Sequence, residues 1–470
     1  MNTRELVLDT LLAIERGEEY SHKLIKAVLD KYDYLDVRDK SFVKRVTEGT
    51  LERQMELDYY LDSFSSLPVR KMRPLVRCLM RMSVYQLIYM DSVPDSAVCN
   101  EACKLVSKRG LRNLKGFVNG LLRTISRQKG NLPLPDENEE PLEYLSIKYS
   151  MPRWLVELWK DEYGWEITET ILKGLLEVHP VSLRFSGKLS CEERQELCNR
   201  ICSQAATLRE SRYLPDVYLL EHGEISVLPG FREGKCTVQD VSSTLAVEAA
   251  GIGENDFVID VCAAPGGKSI LAAERACKGS VLARDISREK IDRIEENIRR
   301  MRIENIETEI FDGTQTDENL VGKADVVLLD VPCSGLGVIG KKRDIKYKAD
   351  LENVEKLTQL QKQIVRASAL YVKPGGTFLY STCTIHRREN EDMVRFLVRE
   401  LGFEPVSLEN VLPKMVMEEK KRLRQELCKA GISYQEELTR EEADACLQFL
   451  PGYMEADGFF VARFRRKENG

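Results

Sequence analysis

The chain has 470 residues, 43% of them hydrophobic and 31% charged, with 70 Lys+Arg against 76 Asp+Glu and a formal net charge of −6. These proportions exclude a disordered or collagen-like chain, and at roughly 150 residues per domain the length predicts about three domains. No apolar run reaches the ~20 residues of a membrane-spanning helix, no signal peptide is read past Arg4, Glu5 and Asp9, and 13 cysteines predict reduced thiols in a cytoplasmic protein.

The first ~130 residues predict helices. Leu6, Val7, Leu11, Leu12 and Ile14 recur at helical spacing, as do Leu75, Leu79, Met82, Leu87 and Ile88. Pro68–Gly130 holds 13 basic residues against three acidic ones, a local basic surface on an acidic protein; taken alone it reads as solvated helix faces. Asn131–Pro141, with three prolines, reads as a linker. Pro141–Val178 predicts further helix carrying all three tryptophans, followed by a strand at Val181–Phe185, a helix at Cys191–Ser203 and one or two strands over Val217–Val227. Cys191, Cys198 and Cys202 match no usual zinc spacing and are expected to pack a helix, so no metal is expected.

From about residue 235 the pattern changes to strand–helix alternation. Strands are predicted at Phe257–Val261, Ser280–Ala283, Glu307–Phe311, Asp325–Leu329 and Thr377–Tyr380, with helices such as Lys268–Arg275 and Arg288–Met301 between them. Phe403–Leu408 and Phe459–Phe464 could supply a final strand pair. The alternation implies an α/β fold with a mostly parallel, doubly wound sheet and a ligand at the carboxyl ends of its strands. Three segments are therefore expected: 1–135 all-α, 136–234 helical then small α+β, and 235–470 catalytic.

After the first of these strands comes Asp260-Val261-Cys262-Ala263-Ala264-Pro265-Gly266-Gly267-Lys268-Ser269. A glycine turn opening a helix lets a ligand approach the backbone and offers it free amides. The glycine a P-loop needs is Cys262, and G-x-G-x-x-G is absent, which leaves a shortened turn suited to a smaller nucleoside such as S-adenosylmethionine. Asp285, Asp312 and Asp330 end the next strands, where a carboxylate can take ribose hydroxyls or an adenine edge.

Cys333 follows the fourth strand in Asp330-Val331-Pro332-Cys333, and Cys383 follows the fifth in Ser381-Thr382-Cys383-Thr384. If these strands are neighbours, both thiols face one cleft. Carbon 5 of cytosine is a poor nucleophile, but a thiolate adding to carbon 6 turns it into an enamine carbon that can accept a methyl group. A carboxylic acid such as Asp330 could protonate ring nitrogen 3 if its surroundings raise its pKa. The nucleophilic thiol needs a basic neighbour, for which Lys268, Lys341, Lys342 and Arg343 are candidates.

Asp260–Ser269, Asp330–Gly335 and Ser381–Glu391 together resemble the S-adenosylmethionine-dependent RNA 5-methylcytosine methyltransferases. Val238–Ser243, Gly337–Ile339, Asp344–Tyr347, Leu450–Gly452 and Asp457–Phe460 narrow the likeness to the bacterial 16S rRNA cytosine-5 methyltransferases of the Sun (RsmB) type. Arg38–Val43, Val93-Pro94 with Asn100–Ala102, and Phe117–Leu122 resemble the NusB RNA-binding fold that this type carries at its N-terminus. The resemblance implies a Rossmann-like catalytic domain, with Cys383 as nucleophile and Cys333 assisting product release. It implies S-adenosylmethionine held by Cys262, Ala263, Ala264, Pro265, Gly266, Gly267 and Lys268, with Asp285, Asp312 and Asp330 as acidic contacts. The implied partner is 16S rRNA, at a cytosine in the helix 31 loop, unstacked to reach the thiol. Pro68–Gly130 would supply phosphate contacts.

Two features depart from the family pattern: no proline precedes Asp344, and Lys414–Glu442 forms a charged helical insertion. A DNA cytosine-5 methyltransferase would use the Pro-Cys thiol and lack the Thr-Cys partner. A tRNA or 23S rRNA cytosine-5 methyltransferase would share the catalytic residues, and a non-catalytic RNA-binding or antitermination factor would not need both thiols. A monomer without membrane attachment is expected.

Overall fold

The computed structural model describes residues 2–17, 19–177, 179–204, 206–223, 225–432 and 438–468. They separate into two compact units, Met1–Asp161 with Ile339–Lys348, and Glu162–Val338 with Ala349–Gly470.

The first unit is helical: α1 (Thr3–Glu15), α2 (Ser21–Lys31), α3 (Val37–Glu52), α4 (Gln54–Phe64), α5 (Pro74–Tyr89), α6 (Asp95–Lys108), α7 (Lys115–Arg127), α8 (Pro141–Lys148) and most of α9 (Arg153–Tyr163). Helix α5 is the hub, packed against α1, α3, α4, α6 and α7. The apolar positions expected at helical spacing face this core, with Val7, Leu79 and Leu87 fully buried and Leu12, Leu75 and Ile88 half-buried. Of the 13 basic residues in Pro68–Gly130, Arg77, Arg81 and Arg109 bond to Glu15, Asp58 and Asp9 within the bundle. Lys104 and Lys108 are exposed but pair with Glu101 and Glu5 (2.7 Å each), and Arg70, Lys71, Arg73, Arg112, Lys115, Arg123 and Arg127 are also exposed.

Ile339–Lys348, which sequence alone assigns to the catalytic segment, belongs to this helical unit. Asp344 accepts hydrogen bonds from Ser21 N (3.0 Å) and Ser21 Oγ (2.7 Å) at the start of α2. Arg343 pairs with Glu48 and Glu52, the Tyr347 hydroxyl donates to Leu51 O (2.8 Å), and Lys346 Nζ donates to Glu52 O (2.7 Å).

In the second unit, α10 (Trp165–Leu176) precedes a four-stranded antiparallel sheet. Its strands are β1 (Val181–Phe185), β2 (Thr207–Glu210), β3 (Val217–His222) and β4 (Cys236–Val238), in the order β2-β3-β1-β4, with α11 (Cys191–Cys202) after β1. Leu183, Phe185, Tyr218 and Cys236 pack with Leu197 and Ile201 of α11, while Val217 and Leu219 join the core of the large sheet. The strand expected over Val217–Val227 stops at His222, and Ile225–Val227 is a 3-10 turn. Strands β2 and β4 escape a periodicity reading because one is half-exposed and polar and the other has three residues. The expected helix end at Val178 lies outside the described residues.

The large sheet holds β5 (Phe257–Asp260), β6 (Ser280–Asp285), β7 (Ile306–Ile310), β8 (Ala324–Asp330), β9 (Val372–Thr382), β10 (Glu404–Pro405), β11 (Cys446–Phe449) and β12 (Phe459–Arg465). Its order is β10-β12-β9-β8-β5-β6-β7, with β11 also paired to β12. Strands β5–β9 are mutually parallel; β12 runs antiparallel to β9 and to β10, the expected final pair. The chain winds from β5 to β7 in one direction and from β8 to β9 in the other, so the order reverses between β5 and β8. Among the helices are α12 (Val241–Ala250), α13 (Gly267–Arg275), α14 (Arg288–Met301), α15 (Ile345–Lys348, in the helical unit), α16 (Leu351–Ala369), α17 (Glu391–Arg399), α18 (Lys414–Lys429) and α19 (Arg440–Asp444). The insertion expected at Lys414–Glu442 contributes α18, whose Val416 and Met417 pack on the core; residues 433–437 lie outside the described residues.

A buried ion pair ties the small sheet to α13. Arg184 Nη1 meets Glu274, both side chains are 2% exposed, Arg184 Nε donates to Gln239 Oε1 (2.7 Å) and Ser186 Oγ to Glu274 Oε1 (2.8 Å). Glu274→Leu leaves the Arg184 charge buried and unpaired, so urea unfolding of this variant is expected to lose about 3–5 kcal/mol. Adding Arg184→Met is expected to recover most of that loss; no recovery contradicts the pairing.

Candidate active site

The reversal of strand order opens a crevice at the carboxyl ends of β5 and β8, and the expected ligand turn lies there. Asp260 ends β5; Ala263 N bonds back to Arg284 O (2.9 Å) of β6, and Gly266 N to Ala263 O (2.7 Å). Gly266 caps α13 in the left-handed region (φ +98°), and a Cβ there would stand 3.1 Å from Ile294 of α14. Glycine is therefore required by both backbone and space. Gly267, Lys268 and Ser269 then present the first amides of α13.

Asp285 ends β6 with its carboxylate aimed back at the turn. Its Oδ2 accepts from Ala264 N (3.0 Å), and its Oδ1 from Ile286 N (2.8 Å) and Lys290 Nζ (2.8 Å). Oδ2 thus retains acceptor capacity for a ligand hydroxyl. Asp312 is exposed beyond β7, where its Oδ1 takes both the amide (3.0 Å) and hydroxyl (2.8 Å) of Thr314. Cys262 is half-buried, and burial pushes its thiol well above the ordinary range. These donors and acceptors fit a small nucleoside, and two buried atoms beside the turn support that. Asp260 Oδ1 has no hydrogen-bond partner, and neither does Gln239 Nε2, an atom that would lie 3.9 Å from a Cβ on Gly267.

Parallel pairing of β8 with β9 sets Asp330 opposite Ser381. The loops that continue from these two residues therefore emerge side by side, and Cys333 Sγ lies 3.2 Å from Cys383 Sγ. Both thiols are half-buried. The Cys333 thiol is pushed far above the ordinary range, first by its hydrogen bond with Cys383, then by burial and by the negative groups around it. Asp330 sits in polar surroundings: Lys268 Nζ donates to its Oδ2 (2.6 Å) and Ser381 Oγ to its Oδ1 (3.0 Å). Burial disfavours the Lys268 charge, but Asp330, Asp260 and Cys383 together raise its pKa, and the ammonium also stands 5.4 Å over the Phe459 ring. Of the four basic candidates, Lys268 interacts with Cys383 through its charge. Lys341, Lys342 and Arg343 belong to the helical unit.

The loop that carries Cys333 is held from several sides. Gly337 N donates to Cys383 O (3.1 Å), and Gly458 N to Gly337 O (3.0 Å). The two glycines cross so closely that a Cβ on Gly337 would overlap the Gly458 backbone. Around the Cys383 loop, Thr382 Oγ1 donates to Asn390 Oδ1 (2.7 Å), and Asn390 Nδ2 to Thr384 O (3.1 Å) and Gln448 Oε1 (2.9 Å). Glu389 and Asn390 lie within Ser381–Glu391 and Gln239 within Val238–Ser243, segments that carry the resemblance but gave these side chains no role. Gln361 and Gln448 also form the site and carry no local signal. Cys198 of α11 is half-buried while Cys191 and Cys202 are exposed, and among the described residues no cluster of His, Cys, Asp and Glu could hold a metal ion.

A doubly wound sheet with a glycine turn, strand-end carboxylates and paired thiols at one crevice defines a Rossmann-like methyltransferase unit, here joined to a helical bundle. The sequence model of the family described as "16S rRNA methyltransferase RsmB/F" matches residues 251–465, and that of the NusB family matches residues 1–127. The chain is 34% identical over 470 residues, 99% of each chain, to "Probable ribosomal RNA small subunit methyltransferase B" of Bacillus subtilis. It is 31% identical over 359 residues, 76% of this chain and 82% of the relative, to "Ribosomal RNA small subunit methyltransferase B" of Proteus mirabilis. Its fold matches the crystal structure of PH0851 with a TM-score of 0.77 at 24% identity over 99% of both chains. It also matches that of NSun6 from Pyrococcus horikoshii with SFG, with a TM-score of 0.55 at 21% identity over 67% of this chain and 98% of the other. The chain belongs to the 16S rRNA methyltransferase family of the RsmB/F type and carries the NusB domain at its N-terminus. Among the described residues no helix is long and apolar enough to cross a membrane.

The buried carboxyl at the base of the crevice makes a prediction. Burial raises the Asp260 pKa to about 7, against the opposing effects of Ser269 and Lys268. An unfolded aspartate titrates near about 4, so the folded protein holds this proton more tightly than the unfolded chain does. The contribution to stability is full below about pH 4 and is lost as pH rises through about 7. The stability of the wild type relative to Asp260→Asn, from urea midpoints, is therefore expected to fall across that window. A difference that is constant with pH contradicts the raised pKa.

Proposed function

We propose that the protein transfers a methyl group from S-adenosylmethionine to carbon 5 of a cytosine in 16S rRNA, through a covalent adduct with Cys383. The observation that carries this reading is the contact of two thiols beside the glycine turn. A single thiol would suffice for addition to the ring, whereas a second one 3.2 Å away serves the release of the product. The family of the chain supports rRNA as substrate class, and the exposed basic residues from Arg70 to Arg127 are available for phosphate contacts. The helix 31 loop is the implied target, a cytoplasmic protein the implied setting, and a monomer the expected state. The functional division runs 1–135 for RNA binding, 136–234 for linkage and 235–470 for catalysis, apart from Ile339–Lys348, which belongs to the helical unit.

In this reading Cys262–Lys268 with Asp285 and Asp312 hold the nucleoside. Lys268 and Asp330 stand at the thiols as the polar contact for the edge of the base. Cys383 as thiolate bonds to carbon 6, and the ring electrons move to make carbon 5 nucleophilic. When bound, the cofactor supplies the electrophilic methyl that carbon 5 takes. Loss of the carbon 5 proton re-forms the ring double bond, and the carbon 6–sulfur bond breaks with its electron pair returning to Cys383. Cys333 assists that last step.

The test is incubation with methyl-labelled S-adenosylmethionine and protein-free 16S rRNA, followed by nucleoside analysis. The wild type is expected to yield 5-methylcytosine, and Cys383→Ala at least about 10³-fold less, as expected when a nucleophile that splits a difficult step is removed. Label found only in tRNA or 23S rRNA moves the substrate and keeps the chemistry. No transfer to any RNA, with RNA binding intact, overturns the reading in favour of a binding factor.

A further inference from the structure

Glu389 lies in the turn after the Cys383 loop and is fully buried. Its Oε1 accepts from Ser334 N (2.9 Å) and from Gln361 Nε2 (2.9 Å), and its Oε2 from Ser334 Oγ. Its backbone carbonyl accepts from the Tyr380 hydroxyl (2.6 Å), and Ser334 Oγ meets Thr384 Oγ1 at 2.9 Å. Ser334 follows Cys333 and Thr384 follows Cys383, so one buried carboxylate fastens both thiol loops. The groups that donate to it, Ser334 and Gln361, are neutral, and a carboxylate that has left water among neutral donors keeps a strong local field.

We propose that Glu389 is the positioning residue of the thiol pair: it aligns the Cys333 loop on Cys383, and its buried charge keeps the proton of the pair on Cys333. This rests on the reading that both thiols act, since it decides which of two touching sulfurs is free to attack. The charged and titratable groups facing Cys333 are Cys383 just after β9, Tyr380 of β9, Asp330 at the end of β8 and Glu389 of the turn. The Tyr380 phenol is pushed up by burial and remains neutral. Glu389 itself faces His386, whose pKa is raised against burial by Glu162 and then by Glu389. Lys268 of α13 is a cation that interacts with Asp330 and Cys383. Negative charge on the Cys333 side and positive charge reaching Cys383 sort the sulfurs the same way, and the Cys333 S–H is then the donor to a Cys383 thiolate. Glu389 touches neither substrate nor sulfur and acts through Ser334 and through its field.

Timed alkylation of the full chain with iodoacetamide, from about pH 6 to about 9, with peptide mass mapping of each cysteine, tests this, because only the thiolate reacts. In the wild type Cys383 is expected to react at least about tenfold faster than Cys333, the ratio that one unit of separation in pKa gives. Glu389→Gln keeps an oxygen for Ser334 N and an N–H for Ser334 Oγ but removes the charge, and the ratio is expected to fall toward one. Ser334→Ala keeps the charge and is expected to retain the order. Equal rates in the wild type, Cys333 reacting first, or an unchanged ratio in Glu389→Gln each overturn the proposal. Should Glu389→Gln fail to fold, Gln361→Lys, which sets a cation against the same carboxylate, is expected to lower the ratio as well, and an unchanged ratio there overturns the proposal. The alkylation uses neither RNA nor cofactor, so an absence of methyl transfer would overturn the proposed function while leaving these rates readable.

Discussion

The structure of the site depends on the register of two parallel strands. Because Asp330 of β8 stands opposite Ser381 of β9, two loops that are 50 residues apart in the chain leave the sheet together, and their sulfurs come to 3.2 Å. Parallel pairing demands a crossover, and α16 supplies it. The same carboxyl edge carries Asp260 on β5 and Asp285 on β6, so the ligand turn and the thiols share one rim of the sheet. A one-residue slip of β9 would exchange its two buried faces and move Cys383 away from Cys333. Phe378 and Tyr380 on one face and Leu379 on the other, all buried, oppose that slip.

Around that edge, charges are placed so that each has a stated partner or a stated cost. Lys268 and Asp330 form a pair at the mouth of the crevice. Asp260 at the end of β5 is fully buried, and that burial raises its pKa. Glu389 lies behind the thiol loops with neutral donors. Taking a carboxylate out of water is costly even among hydrogen-bond donors, a cost that function accounts for more readily than stability does. The close crossing of Gly337 with Gly458 belongs to the same design, since the Cys333 loop needs a fixed floor rather than a mobile tip.

The sequence was most informative where chemistry rides on contiguous backbone. The glycine turn, the acids at four successive strand ends and the two cysteine motifs each need only local spacing, and the structure brings Asp260, Asp285, Asp330, Cys333 and Cys383 to the same edge. Residues whose roles depend on distant partners were not legible. Ser381–Glu391 carries the resemblance as a segment, but nothing in the sequence shows that its Glu389, Asn390 and Glu391 side chains are fully buried. Lys341–Arg343 sit in the sequence near Cys333, but their segment is stitched into the helical unit by Glu48, Glu52 and Ser21, about 300 residues earlier in the chain. Strands β2, β4 and β11 have three or four residues each, too few for alternation to show. The basic stretch was read by count, and the structure subtracts the arginines bonded within the bundle.

The central claim is that Cys383 bonds to the base and Cys333 releases it, and the most direct measurement is to trap the bond. Cys333→Ala is incubated with S-adenosylmethionine and 16S rRNA, digested with nuclease and protease, and the modified peptide is sequenced by mass spectrometry. The account predicts a methylated cytidine adduct on the Cys383 peptide that is retained in this variant and turned over in the wild type. An adduct on another residue, or none in the variant while methyl transfer continues, would contradict it.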